Sequence, residues 1–354
     1  MWWTRICRGK EQGLARSKVI RALAVAVCGA VLTAGPLSAA VSPARRARVA
    51  VRYIVSKQKN NGSIPAFSPV GSTADAVIAM VAARRAPKQI AKAIDYLRAQ
   101  ARGDGVTGIG LTSKVVLAVV AAGGNPRRFG GRNLVREIRS TLTDSGRFGD
   151  GTAVFDHALA MLAVAAAAGA PGEAPARWLA AAQCGDGGWQ YDEPAGASDD
   201  DHCVSGEGDF FASDTNTTAL AVQALEAANE EAPRDPFAFF AAIRDATYKG
   251  WGYSWGFEIT DANSTAMVIQ AHAAADRELP AGAARALRRL QYRLCGKNGG
   301  AFAFTWADMD GDGDLEKSGP DVGATVAAVP GLLRRPLPLR PATVELPAPR
   351  RVAC

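Results

Sequence analysis

Residues 213–225, SDTNTTALAVQAL, join a cluster of helix-initiating residues to a run of small and apolar ones. Ser, Thr and Asp favour the start of a helix because their side chains accept the unpaired N–H groups of its first turn. The residues that follow are apolar on nearly every side, which is typical of a helix buried among neighbours. The pattern recurs along the chain at Ser72–Ala76, Leu111–Lys114, Gly151–Ala153, Ser213–Ala219, Asp261–Ala266 and Asp321–Thr325. We therefore predict a repeat protein.

A glycine turn precedes each of these helices. The turn glycines are Gly62, Gly105, Gly146, Gly188, Gly250 and Gly300, which gives a period of about 42 residues with two longer intervals. This length accommodates two helices and their connections. The segments between the turns, such as Lys88–Ala101 and Leu279–Leu294, are amphipathic and rich in Arg and Lys, which favours an outer, solvent-facing helix in each unit. The sequence predicts an all-α protein, an α/α toroid (α6/α6 barrel) of six helical hairpins over residues 43–339.

The first forty residues have the features of an export signal. A basic segment precedes the apolar run Ala22–Leu32, and Ser38 and Ala40 match the −3 and −1 positions of a cleavage site before Val41. We predict a signal peptide at 1–40 and a secreted or cell-surface protein. Most of the net charge of +7 lies in this segment, so no nucleic-acid partner is expected. No other apolar run has the length of a membrane span, and residues 340–354 are predicted to be a disordered Pro/Arg-rich tail.

Four cysteines remain after the predicted cleavage site. An even number in an exported protein favours disulfides, and we predict the pair Cys184 and Cys203 because they bracket one acidic loop. The pairing of Cys295 with Cys354 is left open. The loop, Asp192–Asp209, holds seven acidic residues and neither Lys nor Arg. It would form a lid or a partner surface over one mouth of the barrel, or remain a solvated loop.

A second acidic stretch, residues 308–315 (DMDGDGDL), has Asp at alternate positions and Gly313 at the turn. Hard oxygen ligands with this spacing wrap one Ca²⁺ ion. We predict a structural calcium site whose ligands are Asp308, Asp310, Asp312 and Asp314. The alternative is a solvated acidic loop, since Gly319 stands where a bidentate acid is expected.

The stretch Gln183–Trp189 (QCGDGGW) resembles the Gln-x-x-x-Gly-x-Trp repeat of the squalene-cyclase and protein-prenyltransferase family. Degenerate copies are similar to it at Gln58–Gly62, Gln100–Gly105, Gly250–Tyr253 and Asn298–Phe302. The resemblance implies the α/α toroid that terpenoid cyclases, prenyltransferase β subunits and cobalamin carriers share. It also implies that the Gln and Trp of each repeat tie neighbouring units together, so these residues indicate architecture and not chemistry.

The catalytic motifs of that family are altered in this chain. Class II cyclases protonate an alkene with the middle Asp of an Asp-x-Asp-Asp-Thr-Ala motif, and the matching positions hold Asn216 and Asn263, whose amides cannot donate that proton. Prenyltransferases bind zinc through Asp-x-Cys and a His, and the segment beginning at Asp214 lacks the thiol. Asp201–Cys203 has the required residue types but lies in the acidic loop. Zinc is therefore not expected.

We expect a protein that binds an isoprenoid- or corrinoid-like ligand in the barrel or at its mouth, without turnover. The residues expected to ring that mouth are Trp189, Asp214, Asn216, Trp251, Tyr253, Trp255, Asp261, Asn263, Trp306 and Asp321. The alternative is an enzyme of cyclase or prenyltransferase type, or a carbohydrate-active α/α barrel with two opposed carboxylates. Candidate carboxylates are Asp75, Asp156, Asp214 and Asp261. Carboxylates that cap their own helices would favour binding, and an opposed pair away from helix ends would favour catalysis. A purely structural surface protein is a third hypothesis.

Overall fold

The computed structural model of the protein describes residues 41–149, 151, 153–192, 213–310 and 312–339. In this part of the chain the α-helices are α1 Pro43–Ser56, α2 Pro69–Ala82, α3 Pro87–Arg102, α4 Ile109–Ala121, α5 Leu134–Arg139, α6 Val154–Ala168, α7 Glu173–Ala181, α8 Thr215–Ala228, α9 Pro236–Ala242, α10 Ala262–Ala274, α11 Ala283–Leu290 and α12 Val322–Leu332. Short strands pair antiparallel as β1 Trp189–Gln190 with β2 Ser213–Asp214, β3 Phe302–Ala303 with β6 Pro320–Asp321, and β4 Trp306–Ala307 with β5 Glu316–Lys317. The predicted signal peptide and C-terminal tail lie outside the described residues.

The even-numbered helices form a closed inner ring. Helix α2 packs on α4, α4 on α6, α6 on α8, α8 on α10, α10 on α12, and α12 packs back on α2. Each of the helices α3, α5, α7, α9 and α11 packs outside the preceding inner helix, and α1 packs outside α12. The predicted all-α toroid of six helical hairpins is confirmed.

Composition separates the two layers. The inner helices are rich in small apolar residues, and the segment Ala158–Val164 of α6 is almost wholly inaccessible to solvent. Small side chains allow the close approach that six neighbouring helices require. An outer helix such as α3 buries only the stripe Ala93, Leu97 and Ala101. Of the predicted outer segment Leu279–Leu294, only α11 is helical. Gly282 before α11 has φ +90°, and the backbone of Gln291 after α11 is extended.

Glutamine side chains join successive units, as the family resemblance implies. Gln183 Nε2 donates to the carbonyl of Gly187 in its own turn and to that of Arg234 at the start of the next unit, at 2.8 and 2.9 Å. Gln291 makes the equivalent pair to its own turn and to Arg46 of α1. The last unit therefore binds the first through the same contact that links consecutive units, which closes the ring.

Gly300 shows why the turn between two units requires glycine. Its φ of +84° lies in the left-handed region, where only glycine is unstrained. A Cβ atom at this position would also lie 2.6 Å from the backbone carbonyl carbon of Val49 in α1. A side chain would therefore push the sixth unit away from the first and open the ring.

Residues 333–339 lie across the C-terminal ends of the inner helices. The Leu337 N–H donates to Gln223 Oε1 of α8 at 2.8 Å, and Leu339 is buried. The N-terminal ends of the inner helices lie at the opposite side of the ring. The predicted mouth residues belong to that side.

Candidate functional site

The first two turns of the inner helices expose one face. Each helix is enclosed by two ring neighbours and an outer helix, so a side chain there keeps solvent exposure only where it faces the lumen. Partly exposed positions in these turns include Asp75 of α2, Leu111 and Lys114 of α4, Phe155 and Asp156 of α6, Asn216 of α8, Asn263 and Met267 of α10, and Gly323 and Ala327 of α12. The lumen thus has a charged arc on α2, α4 and α6 and a neutral arc on α8, α10 and α12.

In the neutral arc, aspartates cap their own helices. Asp214 Oδ1 and Asp261 Oδ1 each accept the backbone N–H three residues further on, at 2.7 Å. Asp321 caps α12 in the same way. Such caps stabilise a helix by about 1 kcal/mol because they satisfy an N–H group that has no partner within the helix. These aspartates, which we expected to line the mouth, therefore bind backbone N–H groups of their own helices.

Burial changes the protonation of two of these caps. It raises the pKa of Asp214 to about 7 and that of Asp261 to about 6, although backbone N–H groups oppose the shift. Asp261 Oδ2 accepts a second hydrogen bond, from Ser264 Oγ at 2.7 Å. Asp214 Oδ2 has no hydrogen-bond partner among the described residues. Asp214 therefore differs from Asp261 in having one carboxylate oxygen whose hydrogen-bonding capacity the described residues leave unused.

In the charged arc, the helix starts do not use the acids. Helix α2 is capped by Ser68, whose Oγ accepts the N–H of Gly71, whereas α4 and α6 begin without a side-chain cap. We expected Ser72 and Thr73 to start α2, but Pro69 at its first position sets the start earlier. Asp75 and Asp156 are therefore left for contacts across the ring.

Lys114 lies between these two acids. Its Nζ is 2.9 Å from Asp75 Oδ2, and the side chains of the pair keep 30% and 38% of their exposure, so both are accessible from the lumen. Helix α4 lies between α2 and α6. Gly110, one turn before Lys114, makes room for Asp156, because a Cβ atom there would overlap its carboxylate. Carboxylates from two different helices therefore lie against α4, one at Lys114 and the other one turn before it, at Gly110.

The environments of the two acids differ. The pKa of Lys114 is raised, chiefly by the charge of Asp75 and also by Asp156. Burial raises the pKa of Asp156, and the positive charge of Lys114 only partly opposes this. Burial thus makes Asp156 a weaker acid than a solvated aspartate, whereas Asp75 accepts a hydrogen bond from an ammonium group. Such a division allows one group to give a proton and the other to take one.

Three aromatic residues border the mouth at equivalent positions: Tyr191, Tyr253 and Phe304. Their carbonyl oxygens accept the first N–H groups of α6, α8 and α10, at 2.7, 2.8 and 2.8 Å. Burial raises the pKa of both phenols, and the charge of Asp214 adds to each shift. We name these three residues the aromatic rim. They connect the two arcs, because the charge of Asp156 in the charged arc also contributes to the raised pKa of the Tyr191 phenol.

Two amides of the neutral arc lack partners. Asn216 and Asn263 hold the same place in a repeated Asp-x-Asn-x-Thr-Ala sequence. Neither Oδ1 atom has a hydrogen-bond partner among the described residues, and the same is true of the indole Nε1 atoms of Trp255 and Trp306. A buried polar atom without a partner costs about 1–3 kcal/mol. These four groups are therefore suited to bind the polar groups of a ligand.

Two of the predicted mouth residues lie elsewhere. Trp189 and Trp251 are fully buried, and their indole Nε1 groups donate to the carbonyls of Leu179 and Phe240 in the outer helices, both at 2.7 Å. Their backbone N–H groups donate to threonines of α8 and α10. These rings hold the inner layer to the outer layer and do not reach the lumen, because the turn before each one directs the side chain between helices.

Sequence reasoning missed Lys114, Tyr191 and Phe304. Both rim residues stand two positions after a buried aromatic residue, as Tyr253 does, and this spacing was a usable signal. Lys114 carried no such signal, because its role depends on the packing of α2 against α4.

The predicted calcium ligands lie in the loop between β4 and β5. Carboxylate oxygens of Asp308, Asp310 and Asp312 come within 4.8 Å of one another, and all three residues are exposed. The Asp314 N–H donates to Asp312 Oδ1 at 2.8 Å, which curves the loop. The donor set is the kind that Ca²⁺ prefers, so the calcium site stays a prediction.

Two other predictions reach beyond the described residues. Cys184 is buried next to a repeat turn, but Cys203 and most of the acidic loop Asp192–Asp209 lie outside the described residues. The disulfide and the lid stay predictions. Among the described residues, none of the helices has both the length and the apolar character of a membrane span.

Solved structures with the same architecture come from unrelated functional classes. The type II terpene cyclase MstE from Scytonema, with geranylgeranyl dihydroxybenzoate bound, matches 83% of this chain and 97% of its own at 13% identity, with a TM-score of 0.56. An unsaturated glucuronyl hydrolase specific for heparin matches 83% of this chain and 96% of its own at 12% identity, with a TM-score of 0.58. An α-1,6-mannanase of Salegentibacter sp. HEL1_6, bound to α-1,6-mannotriose, matches 83% of this chain and 99% of its own at 12% identity, with a TM-score of 0.52.

No family model matches the chain, and no curated protein matches it. At identities of 12–13% the structural likeness establishes the fold alone. The chain has the α/α-toroid fold that the family resemblance implies.

Proposed function

We propose that this protein binds a saccharide in the lumen, at the mouth formed by the first turns of the inner helices. The observation that carries the proposal is a pair of amide oxygens, Asn216 Oδ1 and Asn263 Oδ1, at equivalent positions of α8 and α10, which have no hydrogen-bond partner in the described part of the chain. Amide and indole groups donate to and accept from hydroxyl groups in the geometry that sugars require. The partly exposed rings of the aromatic rim supply apolar faces beside them, and such a mixture is usual in ligand sites.

The charges of the lumen favour a polar ligand over the isoprenoid expected from the resemblance. An isoprenoid offers no group to pair with Lys114, Asp75 or Asp156, so its entry would remove water from charged groups without replacing their hydrogen bonds. Burying charges without partners carries a high free-energy cost. A saccharide replaces that water with hydroxyl groups. The amide side chains of a corrinoid could form hydrogen bonds with the polar groups of the neutral arc. A corrinoid would not account for the charged groups of the charged arc.

Two of the three similar structures support a saccharide, whereas the third, the terpene cyclase, holds an isoprenoid compound. The mannanase structure with α-1,6-mannotriose is that of an inactive variant in which two aspartates are changed to asparagine. The glucuronyl hydrolase is specific for heparin. Saccharides are thus ligands of proteins that share this ring of helices, at a similar overall size.

The proposal includes export and calcium. The features of residues 1–40 support secretion, where extended saccharides are accessible. The cluster of Asp308, Asp310 and Asp312 supports a Ca²⁺ ion that fixes the β4–β5 loop. Isothermal titration of chelator-treated protein with CaCl₂ tests this part. We expect one site, which is lost in Asp310→Asn, and heat from dilution alone would contradict it.

A saccharide array of α- and β-linked glucans, mannans, xylans and glycosaminoglycan fragments, followed by calorimetric titration of each hit, tests the function. We expect the double variant Asn216→Ala with Asn263→Ala to weaken binding at least tenfold, because each amide loses its hydrogen bonds to the ligand. The matched control is Asn229→Gly, at the opposite end of α8, whose left-handed backbone glycine adopts readily. It should bind as the wild type does. Equal affinities for all three proteins would refute the proposed site.

A further inference from the structure

The charged arc holds groups that saccharide binding alone does not require. Asp75 of α2 pairs with Lys114, Asp156 of α6 lies against Gly110, one turn before Lys114, and neither acid caps its own helix. The equivalent first turns of the neutral arc carry Asn216 and Asn263 at the lumen. Charged groups facing a lumen cost solvation free energy, so a purely binding surface has no need of two acids around one ammonium group.

We infer that this arc hydrolyses a glycosidic bond of the saccharide, with Asp156 as the proton donor and Asp75 as the proton acceptor. The inference rests on the proposed function, since the neutral arc and the aromatic rim must hold the sugar over these groups. The two carboxyl groups come from α2 and α6, the two inner helices that pack on either side of α4. Glycoside hydrolysis is the reaction for which two carboxyl groups on either side of a bond suffice, without a further co-reactant except water.

The reaction balances with water as the second substrate. Asp156 gives its proton to the glycosidic oxygen while the bond from that oxygen to the anomeric carbon breaks, and the electron pair stays on the leaving sugar. A water molecule forms the new bond to the anomeric carbon and gives its proton to Asp75. Transfer of this proton to solvent, and uptake of another by Asp156, restores the starting state. The burial that raises the pKa of Asp156 is consistent with its role as donor.

Lys114 is a positioning residue in this scheme. Its Nζ donates to Asp75 Oδ2 at 2.9 Å, so it fixes the position of that carboxylate. Tyr191, whose ring stacks on Phe155 with centroids 5.8 Å apart, stands above Asp156 at the entrance of the arc. An aromatic face there orients a sugar ring next to the proton donor.

The decisive experiment compares two kinds of substrate. The purified protein is assayed with reducing-end-labelled oligosaccharides of the linkages that bind, and with the matching 4-nitrophenyl glycosides. We expect Asp156→Asn to lower kcat on oligosaccharides by about 10²–10⁴-fold, and by less than tenfold on nitrophenyl glycosides, because nitrophenolate leaves without protonation. Asp75→Asn should lose turnover of both, with azide restoring the nitrophenyl reaction. An equal loss on both substrates in Asp156→Asn would overturn its role as donor.

Lys114 and a control variant complete the test. Lys114→Met should lower kcat with little change in KM, and Lys114→Arg should recover part of it, because a positive charge again faces Asp75. Asp95→Asn, on the outer helix α3, where Asp95 is exposed and pairs with Arg98 of its own helix, should keep wild-type turnover. Wild-type protein that binds an oligosaccharide through Asn216 and Asn263 and leaves it intact would overturn hydrolysis and retain the proposed function. Absence of such binding would overturn the proposed function itself.

Discussion

The two arcs of the lumen use the same residue type in opposite ways. In the neutral arc, Asp214, Asp261 and Asp321 stand immediately before their helices and bind backbone N–H groups. In the charged arc, Asp75 and Asp156 stand within their helices and contact α4 instead, Asp75 at Lys114 and Asp156 at Gly110. A shift of a few residues along the helix thus decides whether a carboxylate stabilises the fold or faces the lumen.

The difference separates stability from chemistry within one ring. Acids of the neutral arc are needed to begin helices and leave the lumen to amides. Helices of the charged arc begin with Ser68 or without a side-chain cap, so their acids are not needed by the backbone. Substitutions of the aspartates in the neutral arc should therefore change mainly the free energy of unfolding, and those of the aspartates in the charged arc mainly the reaction.

The largest effect should come from the buried proton of Asp214. Its pKa is raised by burial from 3.8 to about 7. At pH values between these two pKa values, the folded protein holds a proton on Asp214 that the unfolded chain has released. The contribution of Asp214 to the free energy of unfolding is therefore complete below pH 4 and is lost as the pH rises through 7. Asp214→Asn keeps a capping side chain but removes this titration. Relative to wild type, the variant should gain up to about 4 kcal/mol in unfolding free energy between pH 4 and pH 8.

Urea unfolding at several pH values measures this gain. His157 and His272, whose pKa values burial lowers to about 4, contribute a pH dependence of opposite sign. Both histidines remain in the variant, so their contribution cancels in the difference. A difference that stays constant from pH 4 to pH 8 would show that Asp214 is ionised throughout and that its cap resembles an exposed one.

A smaller effect should come from removing one cap in each arc. Asp261→Ala loses the acceptor for the Ser264 N–H and also the partner of the Ser264 hydroxyl group. We expect a loss of about 2 kcal/mol, at the upper end for caps. Ser68→Ala in α2 loses one longer bond of 3.3 Å, to the Gly71 N–H, and should cost about 0.5–1 kcal/mol.

The midpoints of thermal unfolding for these two variants give the comparison. If Ser68→Ala were as destabilising as Asp261→Ala, the helices of the charged arc would depend on side-chain caps as much as those of the neutral arc. The separation of the arcs into a stabilising half and a chemical half would then fail.

The neutral arc could be predicted from the sequence, and the charged arc only in part. A helix-initiating Asp directly before a run of small apolar residues predicts the caps of α8, α10 and α12. The spacing of the turn glycines predicts the ring of six helical hairpins. The start of α2 was misplaced at Ser72, because several Ser and Thr residues there compete and Pro69 decides between them. Which face of a helix meets the lumen follows from ring closure, so the contact of Lys114 with Asp75 has no local signature.

The smallest effect on stability should come from the ion pair itself. Asp75 and Lys114 keep about a third of their exposure, and pairs in contact with solvent contribute about 0.2–1 kcal/mol. A double-mutant cycle with Asp75→Asn and Lys114→Met, measured by urea unfolding, should give a coupling free energy within that range. The same cycle on kcat should give a much larger coupling, since Lys114 acts on turnover through Asp75. A coupling above about 2 kcal/mol in stability with none in kcat would place the pair among the groups that hold the ring together, and the two arcs would then serve one purpose.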